Sequence, residues 1–178
     1  MTVALILDLI PEPLASETEA LDEDEQRRAL NPIESRILAL GLRTDGETSI
    51  MLGEERLILE GFWTRWRATR SRGGQLAGFN IAQFHLPFLV TRSLILDVPI
   101  EPFTRKEIID LRERLSAYRT GKVRGTLREL AQLIGAPEML SDASDAQSSR
   151  ERLVGNLDAL EAIYERARRL RILDIQRW

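Results

Sequence analysis

Two apolar runs, residues 36–43 and 47–51, are separated only by Thr44-Asp45-Gly46, and this constrains the chain more than any other local feature. Both residues of a two-residue hairpin turn need positive φ, which glycine adopts freely and aspartate tolerates, so the runs are predicted to be adjacent antiparallel strands. Upstream, residues 3–9 form a short continuous apolar run, the pattern of a strand covered on both faces and therefore central in its sheet. Residues 75–80 are expected to return as a further strand, and residues 96–100 as a short extended piece.

Helical spacing dominates elsewhere. Residues 54–72 carry Leu57, Ile58, Phe62 and Trp66 at helical intervals, and Gly73-Gly74 closes the segment. Residues 85–94 read as a helix with Pro87 in its first turn, where a missing N–H costs nothing. Residues 104–117 open on a Thr104 to Glu107 capping box. Residues 126–134 place Leu127, Leu130, Leu133 and Ile134 on one face, and a long helix is expected over residues 150–172 after a polar linker, 141–149. Residues 11–32 form an acidic, solvated insertion flanked by prolines. The order predicts an α/β fold with a hairpin-built mixed sheet.

Composition narrows the class. A chain of 178 residues with 43% apolar content supports one well-buried core, so residues 1–178 are expected to form a single domain. The absence of cysteine excludes disulfides and Cys-based zinc or redox sites. No run approaches the roughly 20 apolar residues of a membrane span, and the start does not resemble a signal peptide, so the expectation is a cytoplasmic protein with no membrane partner. The net charge of −3 offers no global attraction to nucleic acid, but arginines cluster at residues 65–72 and 166–171. Arg65, Arg67 and Arg70, interleaved with Trp63 and Trp66, have a composition suited to phosphate contact and base stacking.

The most informative stretch is residues 78–89, Gly-Phe-Asn-Ile-Ala-Gln-Phe-His-Leu-Pro-Phe-Leu. It reads as a strand end entering a helix, with the chain's one histidine at the entrance. Side chains at the carboxyl ends of strands converge on one crevice, so Asn80 and His85 are placed to face whatever the protein handles.

This stretch resembles the second motif of 3′-to-5′ exonucleases of the ribonuclease H-like superfamily, the DEDD type related to the exonuclease domain of family B DNA polymerases. Gly78, Phe79, Asn80, Phe84, Leu86, Pro87, Phe88 and Leu89 fit; the metal-binding Asp is His85. The first motif, a buried strand ending Asp-x-Glu, resembles residues 3–10, with Asp8 retained and Ile10 in place of Glu. The region of the third motif resembles residues 156–160, with Asp158 as the carboxylate and Val154 or Leu153 where a Tyr or His would stand. Residues 31–41, 54–66 and 125–135 and the pair Asp110-Leu111 follow the family's order between these motifs.

The resemblance implies a ribonuclease H-like mixed sheet, its first three strands antiparallel and the next parallel, flanked by helices. It also implies a site of two magnesium or manganese ions, held by Asp8, Asp158 and positions 10 and 85. Two of those four carboxylates are replaced, which implies weak or absent binding of magnesium and a decayed site that still contacts single-stranded nucleic acid through Asn80, Arg65, Arg67 and Arg70. Two other readings stay open. One is an active metal-dependent nuclease with an Asp8, His85, Asp158 site holding manganese or zinc, a donor set those metals accept. The other is a non-catalytic module for a protein partner or self-association.

Overall fold

The computed structural model describes residues 4–14, 31–115, 126–136 and 146–175. Five strands, β1 (Ala4–Pro13), β2 (Ser35–Thr44), β3 (Glu47–Leu52), β4 (Gln75–Gly78) and β5 (Ile108–Asp110), form one sheet in the order β3-β2-β1-β4-β5. β1, β2 and β3 pair antiparallel, whereas β1, β4 and β5 run parallel. This is the ribonuclease H-like mixed sheet that the sequence implied. Helices α1 (Glu55–Arg70) and α2 (Leu86–Ile95) cover one face; α4 (Leu127–Ile134) and α5 (Ala146–Arg169) cover the other, and the short α3 (Leu111–Leu115) follows β5.

The hairpin forms as its turn chemistry demands: Asp45 has φ 49° and Gly46 φ 80°, and Thr44 pairs with Glu47. On β1, Leu5, Leu7 and Leu9 enter the core beneath α1 and α2, while Ile6 and Ile10 face α5. This two-sided burial explains the continuous apolar run.

Several boundaries differ from the sequence expectation. β1 continues through Pro13, past the expected start of the insertion. A bulge lies between Ile10 and Pro11, and pairing with β4 ends at Ile6, so both prolines sit where one side of the strand has no ladder to lose. Residues 15–30 of the insertion lie outside the described residues. The Thr104 to Glu107 capping box is present, but it closes a single 3-10 turn, Arg105–Glu107. The β-branched Ile108 and Ile109 then add a strand to the edge of β4, where a helix was expected. Residues 96–100 form no strand; the chain turns there, with Asp97 at φ 52°. Leu57 and Leu133 are exposed, and Trp63 takes a core position on α1, its Nε1–H donating to Ser93 Oγ at 2.8 Å.

A buried ion pair joins the two helices of the first face to the sheet. Arg92 on α2 donates to both Glu55 oxygens, at 2.9 and 2.7 Å; Glu55 Oε1 also accepts the Ile37 N–H at 2.7 Å, and Arg92 donates to the Pro32 carbonyl. Glu55→Ala leaves the Arg92 guanidinium buried without its charge partner. We expect a loss of about 3–5 kcal/mol in urea unfolding, against less than about 1 kcal/mol for Glu60→Ala on the exposed side of the same helix.

Candidate functional site

The carboxyl ends of β4 and β5 lie beside the middle of β1, and together the three strands supply the segment after Gly78, Asp110 and Asp8. Alternation on β1 turns Asp8 toward α5, opposite Gly41 of β2. A Cβ on Gly41 would lie 2.9 Å from Leu157 Cδ1, so the missing side chain is what lets α5 approach the sheet this closely.

Asp8 is buried and has two partners. His85 Nε2 lies 3.1 Å from Asp8 Oδ1, and Asn156 Nδ2 donates to Asp8 Oδ2 at 2.7 Å. Because an ionised carboxylate only accepts, this contact places the imidazole proton on Nε2. His85 and Asn156 are themselves more than nine-tenths buried, and His85 Nδ1 and Asn156 Oδ1 find no protein partner among the described residues.

The structure thus brings Asp8 and His85 together and leaves Asp158 apart from them. The Asp158 carboxylate pairs with Arg43 Nη1 at 2.5 Å, and Glu161 shares the same guanidinium at 2.9 Å. Helical geometry explains the difference. Leu153, Leu157, Leu160, Tyr164 and Ala167 form the buried stripe of α5; Asn156 falls on it, and Asp158 falls beside it. A motif that asks for a carboxylate passes over Asn156, although a lone amide in an apolar stripe is a sequence signal that points to it. Ile10 is buried and apolar, and Glu12, two residues on, points outward to Arg36 at 2.6 Å. No group of three His, Asp or Glu side chains among the described residues could hold a metal ion.

The segment after β4 is also unlike the plain helix start expected there. Asn80 adopts a left-handed conformation, φ 61°, and residues Ile81–His85 form a π-helical turn before α2 begins. Its backbone is anchored by Asp110, which accepts the N–H groups of Asn80 at 3.0 Å and Ala82 at 2.9 Å.

The candidate nucleic-acid residues do not converge. Asn80 is at the crevice, but α1 carries Arg65, Arg67 and Arg70 toward the opposite end of the sheet, where Arg65 lies beside Leu5, Leu42 and Thr44. Arg67 and Arg70 are engaged by Glu101 at 2.9 and 3.0 Å, and Arg70 also by Glu107 at 2.7 Å. The hydrogen bond from Arg70 holds Glu107 below the usual carboxylate range, those from Arg67 and Arg70 do the same for Glu101, and Arg70 is raised in turn. A groove of about 1060 Å³ runs beside the π-turn, with Leu86, Val90 and Phe103 among its apolar walls and the cations Arg105, Lys106 and Arg114 balanced by Asp110, Glu113 and Asp174. Arg112, next to Asp110, holds its guanidinium 5.9 Å from the Phe79 ring centroid.

No family model matches the chain, and no curated protein does. Among solved structures, the family B DNA polymerase from the hyperthermophilic archaeon Pyrobaculum calidifontis is similar over 94% of this chain, with a TM-score of 0.69 and 15% sequence identity. The match covers 24% of the polymerase chain, so this chain spans about a quarter of that protein's length. At this identity the likeness is one of fold.

The cluster predicts its own response to charge. Asn156→Asp removes the donor to Asp8 Oδ2 and sets two carboxylates together in a buried site, with an expected cost on the order of 3 kcal/mol near pH 7. Repulsion raises the proton affinity of the folded pair above that of the unfolded chain. The deficit should therefore be full near neutrality and shrink as pH falls toward about 4, measured by urea unfolding against the unmodified protein.

Proposed function

We propose that the chain is a 3′-to-5′ exonuclease-like domain that binds single-stranded nucleic acid in the groove beside the π-turn but does not cleave it with divalent metals. The observation carrying this reading is the state of Asp8: its two oxygens accept hydrogen bonds from an imidazole and an amide, where the family would supply further carboxylates.

A pair of magnesium or manganese ions needs several oxygen anions in a small volume to offset their mutual repulsion. In this cluster the first motif retains one carboxylate, Ile10 offers no donor, His85 offers a nitrogen that magnesium accepts poorly, and Asn156 is neutral. The residues therefore do not fit the family's two ions. The reading of a single manganese or zinc on Asp8, His85 and Asp158 is weakened in the same way, because Asp158 is turned to Arg43.

What favours nucleic acid is the order of motifs along nearly the whole chain, together with the fold likeness to part of a DNA polymerase. The groove beside the π-turn has the parts a single strand uses: apolar and aromatic walls for bases, and a rim with Lys106 and with Arg105, the latter paired with Glu113 at 2.7 Å.

Purified protein incubated with end-labelled single-stranded DNA and RNA in magnesium, then in manganese, is expected to leave both intact while retarding them in a gel. Shortening that disappears in Asp8→Ala would overturn the non-catalytic part. Lys106→Ala with Arg105→Ala should weaken binding and flatten its salt dependence by roughly 0.7 in log–log slope for each phosphate no longer neutralised. A stable dimer with no salt-sensitive oligonucleotide binding would instead favour an assembly role.

A further inference from the structure

We propose that Asp110 is the positioning residue that holds His85 against Asp8. It lies at the last position of β5, directly before α3, and is 3% exposed. Its Oδ1 accepts the N–H groups of Arg112 at 2.9 Å and Glu113 at 3.3 Å, the ordinary bonds of an aspartate capping the helix that follows. The same carboxylate reaches across to a second segment: Oδ1 also accepts from Asn80 N, and Oδ2 from Ala82 N. One side chain thus satisfies the first N–H groups of two helical segments that leave neighbouring parallel strands.

The second pair of bonds bears on the site. The turn Ile81–His85 closes with the Leu86 N–H donating to the Ile81 carbonyl, one residue wider than an α-helical turn. Relaxation to regular α geometry would rotate His85 by about 100°, the angle of one residue at 3.6 per turn, and carry its ring away from Asp8. The left-handed Asn80 that starts the turn is likewise held by Asp110. A π-turn and a positive φ in succession persist only when neighbouring bonds fix them. This role of Asp110 belongs to the polar cluster itself and holds whatever the crevice binds.

The chain has one histidine, so the imidazole nitrogen NMR spectrum reports His85 alone. Asp110→Asn keeps an oxygen to cap α3 but sets an NH2 group against the Ala82 N–H. We expect its His85 signals to move toward those of Asp8→Asn. Thr126→Ala, which removes the remote capping box of α4, should lower the thermal midpoint without moving them. His85 signals that stay in place in folded Asp110→Asn, or that move equally in Thr126→Ala, overturn the assignment. In the unmodified protein the Asn80 and Ala82 amides should exchange as slowly as those of the β1–β4 ladder. Exchange as fast as at Gly46 would overturn it whether or not the variant folds.

Discussion

The rest of the structure depends on β1 being hydrogen-bonded on both sides. Paired with β2 along most of its length and with β4 over its first residues, the strand cannot slip or rotate without exchanging its two faces. That register sends Leu5, Leu7 and Leu9 to one helical layer and Ile6, Asp8 and Ile10 to the other. A carboxylate in an apolar layer must be satisfied by whatever packs against it. Two side chains meet the requirement here, one from the segment after β4 and one from α5, and the absent side chain of Gly41 brings α5 within reach.

Charge is used elsewhere mainly to tie elements together. Glu55 and Arg92 join α1 to α2 and to the start of β2, Arg43 joins β2 to α5 through Asp158 and Glu161, and Arg67 and Arg70 join the end of α1 to the segment before β5. The carboxylates of Glu101 and Glu107 have folded pKa values below their unfolded ones. Their contribution is therefore present above the unfolded carboxylate range and is lost as pH falls through the lower, folded range. An arginine-rich stretch that looks like a nucleic-acid patch in sequence is in this way partly consumed by intramolecular pairing.

What was legible in the sequence was what local chemistry dictates. Asp45-Gly46 named its turn, the run beginning at Ala4 named a strand covered on both sides, and the spacing of Ile58, Phe62 and Trp66 named the buried side of α1. What was not legible depended on partners distant in the chain. β5 is three residues long and exists because β4 offers it an edge, so the capping box just before it pointed to a helix instead. A motif that requires a carboxylate points to Asp158 rather than Asn156, whereas the period of α5 decides which of the two faces β1. The π-turn has no local signal, because the bonds that hold it come from Asp110, about thirty residues later.

The parallel strands make Asp110 and Asp8 opposite cases of one problem. Both are buried carboxylates, Asp110 at the last position of β5 and Asp8 midway along β1, just past its pairing with β4. Asp110 meets four backbone N–H groups, three at Oδ1 and one at Oδ2, which suit a buried anion. Asp8 meets two side chains, each of which keeps a second polar atom without a protein partner among the described residues. Among the described residues, the buried polar atoms at the crevice with no protein partner therefore lie on His85 and Asn156. Those atoms are one ring nitrogen and one amide oxygen, a pair that suits a hydrogen-bonding guest far better than two hard divalent cations.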